Sequence, residues 1–255
     1  MNGYTKNINK IEFAVTYACT GRCIHCSVGD QGGACESIDP RLAENAVRGV
    51  LAEYDVKTVM AFGGEPLLYP ETVYAIMSAA TELSVPKRQV ITNGAFTADI
   101  KKMREVAKGL CECGVNEVLI SVDAFHQRTL PIGRVKIFAK ELISLGVPTR
   151  LQPAWLVSRE DENPYNKKTR EILADISECG LSENEGNIIF PEGNAKIYLS
   201  EYFENGAPKN PYEDDPFDVR CVSISPNGDV LGGNLYRQDI IDILDGYSPK
   251  ICGGA

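Results

Sequence analysis

The sequence lacks any apolar run near the ~20 residues of a membrane-spanning helix, and its opening, Met1 to Lys10, lacks the apolar core of a secretion signal. It also lacks a surplus of positive charge: 26 Lys and Arg stand against 35 Asp and Glu, a net charge of −9. Broad binding to nucleic acid or to an anionic membrane needs a basic surface, so neither is expected as a partner. There is no low-complexity tract and no repeat beyond a β/α alternation. These absences predict a cytoplasmic protein, and 44% hydrophobic with 24% charged residues is an ordinary globular balance. At 255 residues roughly three quarters of the unfolded surface can be buried, so the chain needs no covalent staples.

Cysteine is present but uneven. Of nine, three crowd into Cys19, Cys23 and Cys26; the rest are Cys35, Cys111, Cys113, Cys179, Cys221 and Cys252. A tight cluster in a cytosolic chain signals metal or redox chemistry rather than a disulfide framework.

From residue 11 to about 190, short β-rich runs alternate with helical patterns. The expected strands are Ile11–Thr16, Lys57–Phe62, Arg88–Thr92, Asn116–Val122, Pro148–Pro153 and Asn187–Phe190. Between them, apolar residues recur at helical spacing. One stripe is Leu42, Ala46, Val50 and Tyr54, behind Asp39 as N-cap and Pro40 as first helical residue. Others run Ile100 to Leu110, Val135 to Leu145 and Tyr165 to Ile176, stopping near Gly114, Gly146 and Gly180. Repeated βα units imply an α/β fold with a parallel sheet, doubly wound or curled into an incomplete barrel. Both forms place ligand sites beyond the C-terminal strand ends. The Cys19–Cys26 loop, Gly63–Pro66, Asn93–Gly94 and Asp123–His126 all fall at that end. The last quarter differs: a polar loop over Pro208–Pro216, a hairpin of Arg220–Ser225 and Asp229–Leu231 around Pro226-Asn227-Gly228, and a short helix over Asp239–Leu244.

Cys19-x3-Cys23-x2-Cys26 offers three thiolates from one loop. On a four-iron cluster that set leaves one iron open to a ligand, whereas closed clusters usually take four cysteines. Structural zinc is the alternative, but it prefers four N or S ligands, and His25 adjoins Cys26 too closely for both to reach one ion with ease. Free cysteines are the third reading.

The run Cys19-Thr-Gly-Arg-Cys23-Ile-His25-Cys26 resembles the cluster motif of the radical S-adenosylmethionine (radical SAM) superfamily, with an aromatic residue before the third cysteine. The resemblance extends to Gly63-Gly64-Glu65-Pro66, Thr92-Asn93-Gly94 and Ser121-Val122-Asp123, each after its own expected strand. It implies a partial (β/α)6 TIM-like barrel over 1–205, with 206–255 as an extension rather than an independent domain. It implies one 4Fe–4S cluster on Cys19, Cys23 and Cys26 and S-adenosylmethionine on the open iron. Glu65 would take the methionine ammonium, and Gly63 and Gly64 would let backbone approach closely. His25 would pack by the adenine, Ser121 and Asp123 would lie near the ribose, and Asn93 near the methionine. An electron from a flavodoxin- or ferredoxin-like donor would then split a carbon–sulfur bond, and the 5′-deoxyadenosyl radical would take hydrogen from an unidentified peptide or small-molecule substrate. An iron–sulfur electron carrier or sensor, or a zinc-stabilised binding module, is the alternative function; a pure electron carrier has no need of Gly63–Pro66.

Other residues carry weaker signals. His126, Asn163 and Asn166 are candidates for substrate contact. Cys111 and Cys179 read as buried on helix faces, Cys113 carries no motif, and Cys35 sits in a glycine-rich loop. Cys221 to Gly233 resembles the opening of SPASM or twitch extensions, but Gly232-Gly233 stand where a second cysteine is expected, and only Cys252 follows.

Overall fold

The computed structural model describes residues 2–29, 36–204 and 206–249. Its elements are β1 (Lys10–Ala14), α1 (Pro40–Glu53), β2 (Thr58–Phe62), α2 (Pro70–Glu82), β3 (Lys87–Thr92), α3 (Ile100–Glu112), β4 (Glu117–Ser121), α4 (Ile132–Ser144) and β5 (Thr149–Gln152). Then come β6 (Ala154–Trp155), α5 (Pro164–Ile176), β7 (Ser182–Glu183), β8 (Asn187–Ile188), α6 (Gly193–Tyr198), β9 (Cys221–Ile224), β10 (Asp229–Val230), β11 (Gly233–Asn234) and α7 (Ile240–Gly246).

Seven strands form one sheet in the order β7-β5-β4-β3-β2-β1-β9, and every pairing in it is parallel. Its edges, β7 and β9, do not pair with one another, so the sheet is an incomplete barrel of the expected TIM-like kind. Parallel strands need crossovers, and helices cover the sheet's outer face. Ile11, Phe13, Val59, Ala61, Val90 and Val118 point outward into a continuous core with Val47, Met77, Leu110 and Phe138. Intervening residues such as Glu12, Met60, Gln89 and Ser121 face the concave side. Asp39 caps α1 as expected, its carboxylate accepting from the N–H groups of Arg41 and Leu42 at 2.9 and 3.0 Å.

Three details depart from the sequence reading. Helix α2 lies outside the four expected stripes. It buries a broad face that includes Thr72, Val73, Ile76, Met77 and Ala80, and Tyr69 gives it no side-chain cap. The sixth place in the sheet belongs to Ser182–Glu183, paired with β5, while Asn187–Ile188 pairs with β6 in a separate two-stranded sheet. The strands on either side of Pro226-Asn227-Gly228 do not pair as one hairpin: Cys221–Ile224 joins the main sheet beside β1, and Asp229–Val230 pairs with Gly233–Asn234. Burying Val222 and Ile224 against the open edge of β1 removes apolar surface that a free hairpin would expose.

Candidate active site

The loops after the first four sheet strands converge with β5 and β8 on one cavity of about 660 Å³. The β1 loop contributes Cys19, Cys23, His25 and Cys26, the β2 turn Gly63 and Gly64, and the β3 turn Asn93. Ser121 and His126 come from the end of β4, Gln152 from β5 and Asn187 from β8. The expectation that the chemistry-bearing residues gather at the C-terminal strand ends therefore holds in space.

The cysteine loop is held from two sides. At Gly63 the backbone takes φ +136°, and a Cβ there would lie 2.5 Å from the Thr16 carbonyl oxygen; at Gly64 it would lie 2.3 Å from that of Ala18. This contact is stitched by Gly64 N–H to Thr16 O at 2.7 Å and Glu65 N–H to Ala18 O at 2.8 Å. Only glycine permits so close an approach. From the opposite side, Asn194 donates its backbone N–H to Cys26 O at 2.9 Å and its Nδ2 to Cys23 O at 3.1 Å. A side chain at Gly193 would meet Cys26 O at 2.5 Å. Sequence reasoning missed Gly193-Asn194, because a Gly-Asn pair after Pro191-Glu192 looks like any turn.

Cys19 Sγ accepts from Gly21 N at 3.3 Å and from Asn93 Nδ2 at 3.7 Å. The Asn93 amide is oriented by Ala95 N–H on its Oδ1 at 2.8 Å. Burial raises Cys19, and the charges of Glu65 and Cys26 add to that. Burial, followed by Asp123 and the neighbouring thiols, raises Cys23 further. Without a cation Cys19 and Cys23 resist ionising, whereas a metal centre takes its cysteines as thiolates.

Two residues expected as cofactor contacts, Glu65 and Asp123, hold protein partners of their own. Glu65 is fully buried and is not among the residues that line the cavity. Its Oε1 accepts from Leu67 N at 3.0 Å and Thr92 Oγ1 at 2.7 Å, and its Oε2 from Asn93 N at 2.8 Å. Burial pushes its carboxyl up to about 7 against the pull of those donors. Glu65 therefore anchors the Thr92–Asn93 turn. Asp123 is buried too: Oδ1 accepts from Phe125 N and His126 N, both at 2.9 Å, and Oδ2 from Ala154 N at 3.0 Å. Oδ2 also lies 2.8 Å from His126 Nδ1. Burial opposes ionisation, but the His126 charge and hydrogen bond outweigh it and hold Asp123 down at about 2. The same pairing raises His126 against its own burial.

His25 packs against Phe125 at 4.9 Å and edge-on to His126 at 4.8 Å between ring centroids. Burial, then the His126 charge, hold its imidazole down at about 4, and its buried Nδ1 has no hydrogen-bond partner among the described residues. Ligand atoms of Cys23, His25 and His126 lie within 4.8 Å of one another. Sequence reasoning did not bring the two imidazoles together.

Asn163 and Asn166, candidates for substrate contact, hydrogen-bond within the protein. Asn163 caps α5, accepting from Asn166 N at 2.9 Å. The fully buried Asn166 amide accepts from Leu156 N at 2.9 Å and donates to Leu156 O at 3.0 Å and Ser158 O at 2.7 Å. Their capacity is spent on the loop after β6. Cys111 is exposed rather than buried, since α3 turns Met103, Val106, Ala107 and Leu110 inward, and Cys179 is half-buried in a 3-10 turn after α5. Cys113 is buried at the α3 C-cap. Cys221 opens β9 beside Lys10, at the sheet end opposite the cavity. Cys35 and Cys252 lie outside the described residues.

Three thiols with N–H donors on one sulfur, an orphaned imidazole nitrogen and a glycine turn pressed onto the loop form a donor set that fits an iron–sulfur cluster beside a polar ligand. The comparisons agree. The chain is 26% identical over 129 residues to GTP 3′,8-cyclase of Saccharophagus degradans and 27% identical over 131 residues to that of Desulforamulus reducens. These stretches cover 50% and 51% of this chain but only 37% and 38% of the cyclases. In fold it is similar to Streptococcus suis SuiB bound to S-adenosylmethionine, with TM-score 0.60, 15% identity, and coverage of 93% of this chain and 66% of that one. It is also similar to anSMEcpe with bound AdoMet, with TM-score 0.58, 13% identity, and coverage of 93% and 80%. The Radical SAM superfamily pattern matches residues 13–145, just over half of the chain, and the chain belongs to that superfamily.

Proposed function

We propose that the chain uses Cys19, Cys23 and Cys26 to hold one 4Fe–4S cluster with an open iron for S-adenosylmethionine, and takes a hydrogen atom from a peptide or small-molecule substrate. The observation that carries the reading is that three thiols, the Gly63–Gly64 turn and the Asn93 amide line one cavity of about 660 Å³, room for a ligand beyond the cluster. An electron carrier or a zinc module has no use for that space.

When bound, the reduced cluster supplies one electron and S-adenosylmethionine supplies the hydrogen-abstracting radical. The protein's own residues do the rest. Gly63 and Gly64, whose missing side chains let the turn press onto the cysteine loop, offer backbone to the methionine end of the nucleotide. Asn93 aims N–H at the Cys19 sulfur, and Glu65 holds Asn93 in that pose. His25, neutral and partly orphaned, suits the adenine, and Ser121 the ribose. His126 closes the wall, fixed by Asp123. A flavodoxin- or ferredoxin-like protein is the electron source.

The test is anaerobic reconstitution with iron and sulfide, then dithionite and S-adenosylmethionine without substrate. The expected product is 5′-deoxyadenosine, absent from Cys19→Ala, Cys23→Ala and Cys26→Ala. Failure of the unaltered protein to form it would overturn the reading.

A further inference from the structure

The concave face carries a directional chain of side-chain amides along β5 and β8, which line the cavity. Register pairs Ser121 with Gln152 across β4 and β5, which brings Ser121 and Gln152 to one level of the barrel. Glu185 N–H donates to Asn184 Oδ1 at 2.9 Å, so the Asn184 Nδ2 faces away and donates to Gln152 Oε1 at 2.6 Å. Gln152, only 8% exposed, passes the polarity on, its Nε2 donating to Asn187 Oδ1 at 2.9 Å. The chain ends at Asn187, which lines the cavity and whose Nδ2 has no partner among the described residues. Head-to-tail amides polarise each other in one direction, so the terminal group is a strengthened donor without net charge. It calls for an acceptor.

Charge selects among acceptors. Arg22 is the one Lys or Arg among the described residues that line the cavity, and its guanidinium already donates to Cys19 O at 3.0 Å and Gly21 O at 2.9 Å. His126 faces the Asp123 carboxylate. A phosphate or carboxylate pressed against the amide chain would enter a recess without a counter-charge, which is costly. A neutral carbonyl loses far less on leaving water and regains it in the hydrogen bond.

Resting on the function proposed above, we infer that the portion of the substrate lying against β5 and β8 is an uncharged amide carbonyl, as in a peptide backbone or a carboxamide, held by Asn187 Nδ2 with Asn184 and Gln152 as its orienting relay. A nucleoside triphosphate, the substrate in the names of the curated relatives, lacks the cations it needs here.

The test uses the protein loaded with cluster and S-adenosylmethionine, and reads binding by saturation-transfer NMR and calorimetry. The probes are GTP and a panel of N-acetylated, C-amidated dipeptides spanning the standard side chains. Members of the capped panel should bind, and GTP should neither bind nor displace them. Asn187→Asp, which turns the terminal donor into an acceptor, should weaken the bound dipeptides by roughly 10-fold or more. Binding of GTP, no binding by any capped dipeptide, or undiminished binding to Asn187→Asp would each overturn the inference. If that variant does not fold, the two probe classes on the unaltered protein still decide. Formation of 5′-deoxyadenosine without substrate reports separately on the radical chemistry, so a failed panel beside intact cleavage removes only the substrate class.

Discussion

Replacing Glu65 by alanine separates two roles for the same carboxylate. If it met the nucleotide directly, the loss would show in S-adenosylmethionine affinity and the empty protein would be as stable as before. Its geometry says otherwise. Three donors, Leu67 N, Thr92 Oγ1 and Asn93 N, end on it at 2.7–3.0 Å with no accessible surface between them. Stranding three buried donors costs about 1–3 kcal/mol each, or about 3–9 in all. Removing a carboxyl pushed from 4.5 up to about 7 by burial gives back at most about 3 kcal/mol. The unpaired donors win, and the mid-range net loss is about 3 kcal/mol. For a chain of this size that lowers Tm by roughly 6–12 °C. The assay is thermal unfolding of the cluster-free protein with no nucleotide present. A Tm within about 1 °C of the parent, with the defect confined to nucleotide affinity, would refute the anchoring role and return Glu65 to the ammonium.

Three further outcomes follow from the same site. Anaerobic reconstitution should give about four irons per chain, with Cys111→Ala and Cys179→Ala unchanged; about eight irons would mean a second cluster. Asn93→Ala, by removing an N–H donor from the Cys19 sulfur, should lower the cluster's reduction potential in an EPR-monitored titration, and an unchanged potential would show that the 3.7 Å contact tunes nothing. Asp123 sits at about 2 against an ordinary 3.8, so its contribution of about 2 kcal/mol is present above pH 3.8 and is lost as pH falls through 2, while that of the raised His126 is present below 6.5 and is lost as pH rises through its folded value. Urea unfolding of the cluster-free protein should show both limbs, and Asp123→Asn should flatten them; identical profiles would contradict the pairing.

The buried strands were legible because parallel strands covered by helices read as short apolar runs, and Thr58–Phe62 and Lys87–Thr92 lie within a residue of expectation. Ser182–Glu183 was not, since two exposed polar residues carry no β signal, and the β-branched Ile188–Ile189 nearby drew the assignment instead. Helix α2 escaped because its broad apolar face blurs the 3.6-residue stripe. Within the site, the cysteine spacing is local and therefore readable. The direction of a carboxylate is not: besides local donors, Glu65 accepts from Asn93 N and Asp123 from Ala154 N, partners distant in sequence that no local pattern announces. The Asn184–Gln152–Asn187 chain was invisible for the same reason, as each amide alone looks like turn chemistry.

The most direct measurement of the central claim is the EPR spectrum of the reduced, reconstituted protein with and without S-adenosylmethionine. A cluster held by Cys19, Cys23 and Cys26 alone has an iron free to take the nucleotide, so the account predicts a reduced-cluster signal whose g-values shift when S-adenosylmethionine is added. A signal that is identical in both samples, or a colourless protein carrying zinc, would contradict it.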